Sequence, residues 1–294
     1  MGTDERSILS VCFGQWEANA VVLIDRARAT AAVVDPGQGA DDVLPPLLAA
    51  LGVELEAVLL THGHLDHLWA APALARMTDA EVLLHPADRW LWDAPAAAFG
   101  APPSALAAYG LHWETAGVEP KAIDHRQRLM VAGFDIETVH TPGHTPGHVI
   151  YLASGIADIP VGVVDVRVDT LPTSTATMHV LAAVDEAGAG DEDGGASGIG
   201  AGVHRSVASE ELMVSGDLLF AGSIGRTDLA QGSFEDIMES VAHVMHRCDD
   251  AMLVIPGHGP LTTVGNERRT NPYVAQALRQ HGGPESTDGQ HGRR

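Results

Sequence analysis

Four residues able to bind a metal fall within six positions of this chain: His62, His64, Asp66 and His67, in Thr61-His62-Gly63-His64-Leu65-Asp66-His67. No other stretch restricts the outcome as strongly. An H-x-H pair in an extended turn aims both imidazoles to one side, because side-chain direction there has a period of two. Gly63 permits a tight backbone. Asp66 and His67 follow where a helix can begin, so they can point to a neighbouring position and hold a second ion. Three further segments carry residues of the same chemistry: His144 in the duplicated His140-Thr-Pro-Gly-His144-Thr-Pro-Gly-His148, Asp217 in Ser215-Gly-Asp217, and His258 in Pro256-Gly-His258-Gly259. Each of the four segments follows a short apolar run, at 57–60, 134–139, 212–214 and 251–255, that reads as a strand. Loops at one edge of a sheet can converge on a ligand. Five histidines and two aspartates so gathered suit two borderline cations sharing a bridging carboxylate, more than one tetrahedral ion needs.

Composition supports that chemistry and excludes others. The 294 residues include 16 His and only 2 Cys, so a metal site must be built from imidazole and carboxylate. Cys12 and Cys248 are too few for a disulfide framework or a four-cysteine zinc site. With 17 Lys and Arg against 39 Asp and Glu the net charge is −22, which opposes binding to nucleic-acid phosphates and to anionic membranes. No run of 18 apolar residues exists; the best candidate, 149–164, is broken by Asp158 and Pro160. The start lacks a basic-then-apolar leader, and the expectation is a soluble, cytoplasmic protein.

The remaining pattern alternates strands, turns and helices. Strands are expected at 20–24 and 31–34, with a polar turn between, and at 82–84 and 127–131. Helices are expected at 41–51, with Pro45 and Pro46 early in it, at 69–77 and at 233–246. From 93 to 120 the chain is Ala/Pro-rich and reads as short helices and loop. Residues 154–210 form an insertion between the second and third ligand segments. Two strands are expected in it, at 161–168 and 178–184, and a mobile acidic Gly-rich segment at 185–202. A lid role is the alternative to a loop without function. Gly198-Ile-Gly-Ala-Gly202 follows no strand and is not read as a dinucleotide loop. The domain reading is one domain over 1–279 carrying the metal site, with that insertion, then a flexible tail at 280–294.

The H-x-H-x-D-H motif with a later His, an Asp and a last His resembles the metallo-β-lactamase superfamily. Several stretches are similar to its glyoxalase II (hydroxyacylglutathione hydrolase) branch: Val34-Asp-Pro-Gly-Gln-Gly39, the segment from Gly216 through Arg226 to Asp228, Gly257-His-Gly-Pro-Leu-Thr-Thr263, and Glu267-Arg-Arg-Thr-Asn-Pro272. The resemblance runs from Cys12 to Val274 apart from 154–210. It implies an α/β fold, the four-layer αββα sandwich. It also implies that His62, His64 and His144 hold one divalent metal, that Asp66, His67 and His258 hold another, and that Asp217 bridges them. Zinc is the expected metal, with iron or manganese as alternatives. The glyoxalase II branch carries a helical C-terminal domain that helps bind glutathione; this chain is expected to lack it.

The implied activity is hydrolysis of a small thioester, an S-2-hydroxyacyl-thiol, by attack of a metal-bridging hydroxide. Asp66 both ligates and relays a proton. Arg226 is the candidate partner for a substrate carboxylate, with a structural salt bridge as the equal alternative. The alternative activity is that of a persulfide dioxygenase of the same superfamily, with one iron on His62, His144 and Asp217. Classical zinc β-lactamases carry Cys at the position of Asp217, and di-iron flavoproteins carry Glu at that of His64. His140 and His148 flank the ligand His144 and are read as supporting it. Asp35 is read as holding the loop beneath the site, and His85 as structural. His112, His125, His179, His204, His243, His246, His281 and His291 show no ligand spacing.

Overall fold

The chain opens with a hairpin whose strands are apolar on both faces. In the computed structural model, which describes residues 6–108, 111–156, 160–165, 177, 205–206 and 210–282, β1 (Arg6–Phe13) pairs antiparallel with β2 (Ala18–Asp25). β2 then pairs antiparallel with β3 (Thr30–Val34). The chain crosses over through α1 (Ala40–Leu51) to β4 (Glu54–Leu59), parallel to β3. It crosses again through α2 (Leu65–Leu68) and α3 (Ala71–Thr78) to β5 (Glu81–Leu84), parallel to β4. Parallel neighbours require such crossovers, because one strand's end lies at the opposite edge from the next strand's start. After α4 (Arg89–Asp93) and α5 (Ser104–Ala108), β6 (Lys121–Ala122) closes one side. β10 (Pro160–Asp165) and β11 (Arg205–Ser206) extend the other, in the order β11-β10-β1-β2-β3-β4-β5-β6.

A second sheet takes the order β16-β15-β12-β9-β8-β7. Its strands are β7 (Arg128–Val131), β8 (Phe134–His140), β9 (Val149–Ser154), β12 (Glu211–Gly216), β15 (Leu253–Pro256) and β16 (Thr262–Thr263). β8 and β12 both run antiparallel to β9, and β15 runs parallel to β12. So β8, β12 and β15 share one direction, and their C-terminal ends lie at one edge. A small hairpin, β13 (Leu219–Phe220) with β14 (Ser223–Ile224), stands beyond β12.

Three apolar layers make the sandwich. Alternate residues of β2 divide between two of them: Val22 and Ile24 pack toward α1 and α3, with Leu44, Leu47 and Leu74, whereas Val21 and Leu23 face Phe134, Ile136 and Tyr151 of the second sheet. Burial on both faces is why these strands read as unbroken apolar runs. The third layer sets Ile150, Met213 and Val254 against α6 (Phe234–Arg247) and α8 (Pro272–Gln280), through Ile237, Val241 and Val274. The order is therefore helix, sheet, sheet, helix, as the αββα expectation had it.

Some local expectations shift. The helix expected at 69–77 is observed as α3, starting two residues later: Trp69 and Ala70 turn between the short α2 and α3, which has Pro72 in its first turn, and the Ala70 amide donates to the Pro36 carbonyl. Pro45 and Pro46 lie inside α1 rather than in its first turn, on its solvent side. β1, β9, α7 (Val264–Thr270) and α8 were not expected from the sequence. The strand expected at 161–168 is observed only over β10, whose pairing with β1 makes the start of the 154–210 stretch part of the first sheet. The strand expected at 178–184, the acidic segment at 185–202 and the tail beyond 282 lie outside the described residues.

Candidate metal centre

The loop after β4 enters the site through a single buried carboxylate. Asp35, at the end of β3 with φ of 52°, accepts the Thr61 amide at 2.7 Å and the Thr61 hydroxyl at 2.6 Å. It also accepts Nδ1–H of His67 at 3.1 Å. His62 Nδ1 donates in turn to the Thr61 hydroxyl at 3.0 Å. One aspartate thus orients two imidazoles, one of them through threonine. His64 is the residue before α2, which carries Asp66 and His67 in its single turn. Gly63 is required for contact: a Cβ there would lie 2.6 Å from Leu91 Cβ.

Loops from the second sheet supply the rest. His144 Nδ1 donates to the Arg226 carbonyl at 2.7 Å, and His258 Nδ1 to the Glu17 carbonyl at 3.1 Å. These partners assign the tautomers: His62, His67, His144 and His258 each carry the proton on Nδ1 and present Nε2 as a lone pair. Asp217 sits after β12, its amide donating to Nε2 of the buried His148 at 3.1 Å. Gly257 leaves room for it, since a Cβ at that position would collide with Asp217 Oδ1.

The acceptors converge in two groups. His62 Nε2 lies 3.1 Å from His64 Nδ1, which lies 2.8 Å from His144 Nε2. His67 Nε2 lies 3.2 Å from His258 Nε2, and that atom lies 3.2 Å from Asp66 Oδ2. Asp217 reaches both, with Oδ2 3.4 Å from His144 Nε2 and Oδ1 3.4 Å from His67 Nε2. Asp217 Oδ1 is buried without a hydrogen-bond partner. Lone pairs packed this closely repel unless a positive centre stands among them, and a single proton serves only one pair. An orphaned carboxylate oxygen between two imidazole clusters fits two divalent cations sharing a carboxylate.

Electrostatics divide the site. Burial, with the neighbouring rings, drives His64 down to about 3 and holds His62 well below its ordinary value. Those imidazoles stay neutral, as ligands must. Burial opposes charge on His67 too, but the carboxylates of Asp66, Asp217 and Asp35 outweigh it and lift His67 to about 10. Burial likewise lowers and Asp66 raises His258, with the net shift upward. Asp66 is held below the usual carboxylate range because His67 and His258 outweigh its burial. This half of the site draws positive charge into a buried place, which a cation satisfies.

All seven residues singled out as ligands come together. His148 supports the Asp217 backbone as described, and His140 turns aside, stacking on His85 at 4.2 Å between ring centres. Arg226 stands at the rim with its guanidinium held by Asp228 at 2.7 and 2.8 Å, and its backbone carbonyl orients His144. One residue escaped the sequence reading. Asp88, fully buried after β5, accepts the Gly63 amide at 2.9 Å, the Thr145 hydroxyl at 2.6 Å and the Gly147 amide at 2.7 Å. It joins the loop that carries His62 and His64 to the loop that carries His144. A lone Asp in a His-Pro-Ala-Asp turn has no local pattern to mark it. Above the two clusters opens a cleft of about 980 Å³.

The sequence profile described as the metallo-beta-lactamase superfamily matches residues 14–155. An uncharacterized protein of Mycobacterium tuberculosis (strain H37Rv) is 31% identical over 265 residues, covering 89% of this chain and 94% of its own length. The hydroxyacylglutathione hydrolase GloC of Haemophilus influenzae is 26% identical over 246 residues, 83% of this chain and 87% of that protein. Among solved structures, the BLEG-1 B3 metallo-beta-lactamase superposes with a TM-score of 0.63 at 26% identity, over 90% of this chain and 98% of that one.

Proposed function

This chain belongs to the metallo-β-lactamase superfamily, and from that premise we propose that it hydrolyses small thioesters of the S-2-hydroxyacyl-thiol type. The observation that carries the reading is Asp217, whose two oxygens face separate ligand clusters at the floor of an open cleft. The likeness to GloC, a hydroxyacylglutathione hydrolase, supports the substrate class. In this reading His62, His64 and His144 hold one divalent cation, Asp66, His67 and His258 a second, and Asp217 both. Bound there, the cations would polarise a carbonyl and acidify a water toward neutral pH.

The chain's own residues then orient and move protons. Asp35, the Thr61 hydroxyl and the carbonyls of Arg226 and Glu17 keep the four Nε2 lone pairs turned inward. Asp66 is the more exposed of the two ligand carboxylates, its side chain 24% accessible against 11% for Asp217. That exposure gives it contact with the cleft and the role of taking the proton from the attacking water. Water oxygen bonds to the carbonyl carbon, the C–S bond breaks, and the thiolate departs with little need of acid. No protein nucleophile is required. Ser223, on the cleft wall, turns its hydroxyl to the Ile224 carbonyl, and burial pushes the Cys248 thiol up to about 11.

The test is metal analysis of the purified protein together with turnover of S-lactoylglutathione, other lactoyl thioesters, a β-lactam and glutathione persulfide. Two ions per chain with thioester cleavage is the expected result. One iron per chain with oxygen consumed on the persulfide, or faster turnover of the β-lactam, overturns the reading.

A further inference from the structure

The cleft over the metal centre is walled largely by apolar side chains. Phe99, Leu106, Phe220, Ile224 and Leu229 line it. Trp16, in the turn between β1 and β2, also lines it and lies 6.2 Å from Trp69 between ring centres. Phe99 is 64% exposed and Trp16 39%, so two aromatic faces stand in water at the mouth of the site. Such a patch is relieved when an apolar group covers it.

Charge on the walls points the same way. Among the described residues the cleft's cation is Arg226, and the Nε/Nη2 edge of its guanidinium is already paired with Asp228. A thiol arm bearing carboxylates, such as the glutathione tripeptide, calls for free cationic forks. It would have to share Arg226 with Asp228, whose carboxylate already offsets that charge. An uncharged arm meets no such demand and covers Phe99 and Leu106.

Resting on the hydrolase reading, we propose that the arm of the thioester lying in this cleft is uncharged and apolar, an aryl or short alkyl group. Binding tests this without turnover. The probes are 1-(benzylthio)propan-2-ol and S-(2-hydroxypropyl)glutathione, thioethers that lack the scissile carbonyl, titrated into the metal-loaded protein by tryptophan fluorescence. The benzyl compound is expected to bind at least about tenfold more tightly. Phe99→Ala and Leu106→Ala are each expected to weaken it about fivefold or more by removing buried apolar contact, without the same loss for the glutathione compound. Equal or tighter binding of the glutathione compound, or unchanged benzyl binding in both variants, overturns the inference. Thioester turnover in which S-lactoylglutathione is preferred over the S-benzyl lactoyl thioester sinks this inference alone. Benzyl preference without any thioester turnover sinks the hydrolase reading alone.

Discussion

Asp217 and Asp35 are two carboxylates with different duties at one site. Asp217 faces both imidazole clusters, and its Oδ1 has no hydrogen-bond partner. Replacing it by alanine removes the oxygens common to both cation positions. Asp217→Ala is expected to carry less than one ion per chain and to lose activity by about 100-fold or more, read by metal analysis beside turnover. Full activity in that variant breaks the two-cation assignment. Asp35 touches no cation in this reading. It acts through His67 Nδ1 and through Thr61 on His62. In Asp35→Asn the side-chain amide cannot accept from all three donors, so one imidazole loses its fixed tautomer. Metal affinity is expected to fall about 10–100-fold, measured by competition with a chromophoric chelator, while the circular dichroism of the fold persists. Unchanged affinity would reduce Asp35 to a loop anchor.

At the scale of elements, Asp88 fastens the loop after β4 to the loop after β8. Its removal leaves the Gly63 and Gly147 amides and the Thr145 hydroxyl without their partner in a buried place. At about 1–3 kcal/mol for each unsatisfied buried group, Asp88→Ala is expected to cost about 3 kcal/mol or more, read from urea unfolding. A loss below 1 kcal/mol would mean that water replaces the carboxylate. Asp88 also marks the limit of what local pattern reveals. The ligands were legible because four of them crowd 62–67 and each later one follows an apolar strand. Most strands were legible for the same reason, as short apolar runs bounded by turns. β1 was not, because Ser7 and Ser10 interrupt its pattern yet are buried by the neighbouring strands. β9 was hidden inside the long apolar stretch from 149. α7 offers few apolar positions and α8 is short, and Asn271 and Glu267 hold both. Asn271 caps α8 through the Tyr273 and Val274 amides. Buried Glu267 accepts from Gly222, Thr262 and Asn271. Those contacts are tertiary, and a single window of sequence does not contain them.

Across the whole molecule, the site is where the two sheets are tied. The Val149 amide donates to the Thr61 carbonyl at 2.7 Å, and the Tyr151 hydroxyl to the Leu60 carbonyl at 2.8 Å. On the other side, Asn19 of β2 holds the His258 loop through the carbonyls of Pro256 and Gly259, each at 2.9 Å. The proposed ligands divide in the same way. His62, His64, Asp66 and His67 extend from the first sheet, and His144, Asp217 and His258 from the second. A cation held between them crosslinks the sandwich, and it binds the folded chain far better than the unfolded one. At a free concentration about 100 times its dissociation constant, one ion adds about 2.7 kcal/mol to stability. For a chain of this size that is a rise in Tm of roughly 4–5 °C. Chelation of the purified protein is therefore expected to lower its Tm by at least that much, and return of the metal to restore it. In Asp217→Ala, which has lost the bridge, the chelator is expected to move Tm little. Equal Tm values for the wild type with and without chelator would mean that the sheets are locked by Tyr151, Val149 and Asn19 alone, and that the cations contribute chemistry without contributing to the fold.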